Sequence, residues 1–127
     1  MQVIKKSTIL YANMTNQENR KNKSINTQRC KNRAAVFKAL AHPTRILIVD
    51  ALAQREHCVS ELVELVGDDP STISKHLSIM KSAGIVNNDR RGSSVFYCLK
   101  MQCVPGFMHC VDNAIISSAR NQLDSNK

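Results

Sequence analysis

A chain of 127 residues that is 43% hydrophobic, with only four Gly and three Pro, has room for one helix-rich domain with a modest core plus a tail, and not for a second domain. Its aromatic content of 4% leaves little for stacking bases of single strands, which favours duplex DNA over single-stranded RNA; no stretch approaches the roughly 18 apolar residues of a membrane span. The formal charge of +8 is unevenly placed: Met1–Arg33 holds eight Lys/Arg against Glu18 alone, Ala34–Asp69 holds three against six Asp/Glu, and Pro70–Lys100 holds five against Asp89. The positive excess of the globular part is thus confined to one stretch, as phosphate contact requires.

The apolar run near Met1 is too short and interrupted for a secretory leader, and Met14 offers a second start, so a cytoplasmic protein is expected. Five cysteines, an odd number, then read as free thiols or metal ligands rather than a disulfide framework. Residues 1–30, rich in Asn, Gln, Lys and Ser without apolar periodicity, read as a disordered basic tail that either adds non-specific DNA affinity or merely solubilises the chain. The folded domain is expected over residues 31–124.

From about Arg33 the pattern turns helical, with Val36, Phe37, Leu40 and Ala41 on one face. His42-Pro43 ends that helix, and Pro43 opens a second over PTRILIVDALAQ with Ile46, Leu47, Val49 and Leu52 as core candidates. Ser60 is positioned to cap a third helix, SELVELVG, which Gly67 stops in a left-handed conformation. Asp68-Asp69 makes a tight turn into a fourth helix, Pro70–Ala83. There Ile73, Leu77 and Met80 form an apolar stripe, and the remaining face carries Ser71, Thr72, Ser74, Lys75 and Ser78 with His76 on its flank. That polar, cationic, acid-free face suits a helix laid in the major groove. Two short helices joined by about three or four turn residues are a helix-turn-helix pattern.

Gly84 closes the fourth helix. Ile85–Asp89 and Ser94–Leu99 read as two strands with Arg90, Arg91, Gly92 and Ser93 at the tip, a basic wing beside the recognition helix. Pro105-Gly106 separates this hairpin from a last helix whose Phe107, Val111, Ala114, Ile115 and Leu123 share an apolar face. A small domain with such a helix is most simply completed as a two-fold dimer, which would set two recognition helices roughly 34 Å apart. The fold class is therefore mainly α with a small β-hairpin, a dimeric winged helix-turn-helix. Ser71, Thr72, Ser74, Lys75, His76, Arg90 and Arg91 are the expected DNA contacts.

The runs LAHPTRILIVDAL, CVSELVELV, STISKHLSIMKSAGIV and RRGSSVFYCL, in this order over about Leu40–Leu99, resemble the ArsR/SmtB family of metal-responsive repressors. The resemblance implies a homodimer that binds operator DNA in the cytoplasm and releases it when an inducer binds. In arsenic-sensing members the third helix begins with a Cys-Val-Cys motif. Here the matching residues are Cys58, Val59 and Ser60, so only the first thiol is present, whereas a soft metalloid takes about three thiolates. Cys103 and Cys110 lie where the chain enters the last helix. On a straight helix they stand about 10.5 Å apart, and a bend at Pro105-Gly106 would bring Cys103 toward Cys110 or toward a partner subunit. Cys58, Cys103 and Cys110 are thus the expected metal ligands, with arsenite, cadmium or zinc as inducer, and space-filling thiols as the alternative.

Cys98, alternating with Tyr97 and Leu99, reads as core, and Cys30 carries no role. His109 and Asp112, three apart, supply at most half of the Asp/His/Glu site that the resemblance implies for zinc or cadmium sensors. His42 and His57 read as structural or solvent-facing. Three functions compete: a repressor released by a thiophilic metal or metalloid, a repressor of the same fold switched by thiol oxidation or persulfidation, and an architectural DNA-binding protein that senses nothing. An enzyme is excluded as a reading, because no nucleophile-base pair, phosphate loop or paired carboxylates appear.

Overall fold

The computed structural model describes residues 16–126, and the chain divides into two compact units between Ala35 and Val36. Helix α1, Asn16–Leu40, begins far earlier than the periodicity predicts. The expectation of disorder fails for residues 16–30, while residues 1–15 lie outside the described residues. The reason is local. This stretch has no apolar period, but it also has no Pro or Gly, and its Gln, Glu, Lys and Arg residues are good helix formers that offset its four Asn. Side chains also tie successive turns: Thr27 Oγ1 donates to the Lys23 carbonyl at 2.8 Å, and Gln28 Nε2 donates to Asn32 Oδ1 at 2.9 Å.

The second unit carries the core. Helix α2 spans Pro43–Gln54, β1 His57–Cys58, α3 Val59–Val66, α4 Pro70–Ser82, β2 Val86–Arg91, β3 Ser94–Leu99 and α5 Val104–Ser125. His42 caps α2, its Nδ1 accepting the Thr44 N–H at 3.1 Å, and Pro43 occupies the first turn, where a missing N–H costs nothing. Helix α3 starts at Val59 with Cys58, not Ser60, as its cap residue. Gly67 ends α3 at φ 85°, and a Cβ there would meet nothing within 4 Å, so backbone conformation alone selects glycine.

Helices α3 and α4 pack on each other and on α2 to form the helix-turn-helix. Ile73, Leu77 and Met80 are fully buried, as their spacing predicts. They meet Ile48, Val49, Leu52, Leu62, Ile85, Val86, Leu99 and Val104 in one cluster. In α2 the uniformly apolar run ILIV conceals which side faces inward. Ile48 is buried, whereas the predicted Leu47 is 42% exposed.

The sheet has three antiparallel strands in the order β1-β3-β2, one more than predicted. Two-residue β1 pairs His57 with Tyr97 and Cys58 with Phe96. The β2–β3 register runs from Val86 opposite Leu99 to Arg91 opposite Ser94, which places Arg90 and Arg91 within β2 and leaves only Gly92-Ser93 as the turn. Gly92 takes φ 62° there. Cys98 is exposed, because strand alternation puts Leu99 on the core face and Cys98 on the other. Ile85 joins helix to wing. Its N–H donates to the Met80 carbonyl at 3.0 Å, and its carbonyl accepts the N–H groups of Lys100 and Met101 at 2.9 and 3.1 Å.

Pro105-Gly106 is not a break. Both residues lie in the first turn of α5, with Cys103 as its cap residue, a position where proline is compatible with a helix. Phe107, Val111, Ile115, Ile116 and Leu123 are 37–68% exposed along α5. Phe37 of α1 lies against Phe107, ring centroids 5.6 Å apart. Among the described residues no helix is long and apolar enough to cross a membrane.

Candidate nucleic-acid interface

The start of α4 is fixed by Asp69. Its carboxylate accepts the Thr72 N–H at 3.2 Å and the hydroxyls of Ser71 and Thr72 at 2.5 Å each. The Ser71 hydroxyl, the Thr72 hydroxyl and the Thr72 N–H hold that carboxyl at about 2, well below its ordinary value. The Asp-Pro-Ser-Thr run is thus a capping signal and not only a turn. Two expected contact hydroxyls are therefore engaged within the chain, and an anionic cap sits at the head of a helix otherwise free of acid.

Ser74, Lys75 and Ser78 are exposed. With Ser71 they follow the i, i+3, i+4, i+7 spacing of one continuous face, turned away from the buried Ile73, Leu77 and Met80. His76 departs from the expectation. Its ring is half-buried and packs on His42, centroids 4.5 Å apart, and its Nδ1 is buried without a partner. Burial, then the neighbouring His42 and Arg45, push its pKa below 6.5, against a smaller opposite pull from Asp68. His76 is a packing residue between α4 and the cap of α2, not part of the outward face.

The wing arginines divide. Arg90 is exposed on β2. Arg91, expected to contact DNA, is instead held on the protein: Nη1 and Nη2 reach Glu56 Oε1 and Oε2 at 2.5 and 2.9 Å, and Nε reaches Asp89 Oδ2 at 3.2 Å. Its guanidinium also lies 4.7 Å from the centre of the Phe96 ring. The bidentate pair raises the pKa of Arg91 and lowers that of Glu56. Neither carboxylate stands out in the sequence. Asp89 is two residues away on the same strand, but Glu56 is 35 positions distant and gives no local signal.

The expected metal ligands are dispersed within one chain. Cys58 is half-buried at the head of α3. Its N–H donates to Glu61 Oε1 at 3.2 Å and its Sγ lies 3.1 Å from Ser60 Oγ. Arg55 donates to the same Glu61 at 2.6 Å, and this bond with the Cys58 contacts holds the Glu61 carboxyl at about 2. Cys103 and Cys110 are exposed at the cap and at the end of the second turn of α5. The bend expected to bring them together does not exist, because the helix runs unbroken from Val104. Among the described residues, no group of three His, Cys, Asp or Glu stands close enough to hold an ion. His109 and Asp112 are both exposed, and His57 is buried, its Nδ1 3.0 Å from the Arg55 carbonyl.

Residues 42–88 match the profile of bacterial regulatory proteins of the arsR family. Over 64 residues the chain is 42% identical to the HTH-type transcriptional repressor SmtB of Mycobacterium tuberculosis, a match covering 50% of this chain and 47%, about half, of that protein. It is 36% identical over 80 residues to the HTH-type transcriptional regulator MJ1325 of Methanocaldococcus jannaschii, covering 62% of this chain and 90% of the relative. Among solved structures it resembles the homodimeric winged helix-turn-helix DNA-binding domain of Mb0332 from Mycobacterium bovis. The TM-score is 0.67 at 25% identity, over 87% of this chain and 94% of that one. A relative matched over nine-tenths of its length, a profile lying on the helix-turn-helix, and the wing that follows it together place this chain in the arsR family, a family of transcriptional regulators and not of enzymes.

Proposed function

We propose that the protein is a homodimeric transcriptional repressor that docks α4 in the major groove of operator DNA and sets Arg90 of the wing against the adjacent backbone. The observation that carries this reading is the continuous exposed face of Ser74, Lys75 and Ser78 on α4, free of acid and backed by a fully buried aliphatic stripe. The uncovered apolar residues of α5 supply a surface for the second subunit, and the homodimeric Mb0332 domain shares the fold. Fluorescence anisotropy with duplex DNA from upstream of the protein's own gene tests it. Lys75→Ala and Arg90→Ala each weaken binding and flatten its salt dependence by about one ion per protomer if they meet phosphate. Unchanged affinity and slope in both variants would remove the assignment.

The inducer in this reading is a thiophilic metal or metalloid taken by Cys58, Cys103 and Cys110 from more than one protomer, since the described residues of one chain do not gather three donors. The same dispersion favours a second trigger, a reversible disulfide between protomers formed by an oxidant or persulfide. Titrating arsenite and cadmium into the reduced protein–DNA complex separates the two. Release by an ion supports the first, and release only on mild oxidation, with a Cys–Cys crosslink seen by mass spectrometry, supports the second.

A further inference from the structure

The first half of α1 takes no part in the contacts assigned to α4 and the wing. Arg20, Lys23, Ser24, Thr27, Gln28 and Lys31 line one shallow groove of about 320 Å³ along it. Their spacing of i, i+3, i+4, i+7, i+8 and i+11 makes a single helix face, about 16.5 Å from end to end. Residues 20–35 contain six Lys/Arg and no Asp or Glu. Arg29 and Arg33, four apart, repel each other where a free-standing helix would ordinarily place opposite charges. Ile25 is the only large aliphatic or aromatic residue among them, which is too little to seat a helix in a lipid surface and offers nothing on which bases could stack. What such a face complements is a regular array of phosphates.

We propose that this strip of α1 is a second DNA-binding surface, which grips the duplex backbone without reading sequence. Arg20, Lys23 and Lys31 supply the charge, and Ser24 and Gln28 supply short polar contacts. The inference rests on the repressor reading and deepens it. α4 selects the site, whereas α1 contributes uniform affinity that depends steeply on salt. With three phosphate contacts per protomer, the slope of log affinity against log salt steepens by about 2.7 per protomer, or about 5.4 for a dimer.

The test compares the full-length protein with the triple variant Arg20→Gln, Lys23→Gln, Lys31→Gln on two duplexes of equal length, one from its own upstream region and one scrambled. Glutamine is a good helix former, so the fold is expected to survive, and circular dichroism checks it. The triple variant loses about 2.7 of slope per protomer on both duplexes, and the ratio of affinities between them does not change. A charge-preserving variant, Arg20→Lys with Lys23→Arg and Lys31→Arg, keeps the wild-type slope. An unchanged slope in the triple variant, a lost slope in the charge-preserving one, or a loss seen only with single-stranded RNA or anionic vesicles would each overturn the inference. If Lys75→Ala weakens binding and the triple variant does not, this inference fails and the repressor reading stands; if the wild type binds neither duplex, both fall.

Discussion

Glu56 restrains the wing, and releasing it should make the protein bind DNA more tightly. In the structure Arg91 spends both terminal nitrogens on Glu56 and its Nε on Asp89. In Glu56→Gln the bidentate partner loses its charge, while the single bond to Asp89 at 3.2 Å remains. Arg91 and Glu56 are 48% and 45% exposed, so solvent screens their attraction and a phosphate can compete for the guanidinium once the carboxylate is gone. One added phosphate contact per protomer steepens the salt slope by about 0.9, or about 1.8 for a dimer. Between about 200 and about 50 mM salt, that steepening multiplies the affinity advantage of the variant roughly tenfold. Anisotropy titrations across that range measure it, and the double variant Glu56→Gln, Arg91→Ala should lose the gain. A Glu56→Gln protein with wild-type slope, or a gain that persists without Arg91, would refute the idea that this ion pair withholds a cation from the duplex.

Leu77 is fully buried in the α4 stripe, so Leu77→Ala should cost about 3 kcal/mol in urea denaturation, whereas Ile79→Ala, at a side chain 44% exposed, should stay within about 0.5 kcal/mol. The fold favours neutral His76, whose pKa is depressed below 6.5. The stability this provides is present above that value and falls as pH drops through the lowered one. Urea midpoints at several pH values should show a loss on acidification that His76→Gln flattens. Asp69 titrates at about 2 in the fold against an ordinary 3.8. Its contribution is therefore complete above 3.8 and disappears toward 2, and Asp69→Asn should remove that part of the acid transition followed by circular dichroism.

The α4 stripe and the stops at Gly67 and Gly84 are legible in the sequence because each rests on a local rule, helical spacing or a positive φ, that acts within a few residues. Leu47 is misassigned because four consecutive apolar residues carry no period. The start of α1 escapes notice for the opposite reason: a helix without an apolar face leaves only its lack of breakers as a sign. At Pro105-Gly106 two turn-formers suggest a break, yet proline is tolerated in a first turn, and that single difference dissolves the expected approach of Cys103 to Cys110. Within the candidate site, Ser74 and Lys75 follow from helix geometry. The fate of Arg91 does not, because it is decided by Glu56, brought near only when β1 joins the sheet.

The carbonyl and amide of Ile85, the residue that leads into β2, tie the end of α4 to the chain just after β3 at one point. In the repressor proposed above, helix and hairpin therefore meet the duplex already joined at this residue, and less freedom is surrendered on contact than if the two moved independently.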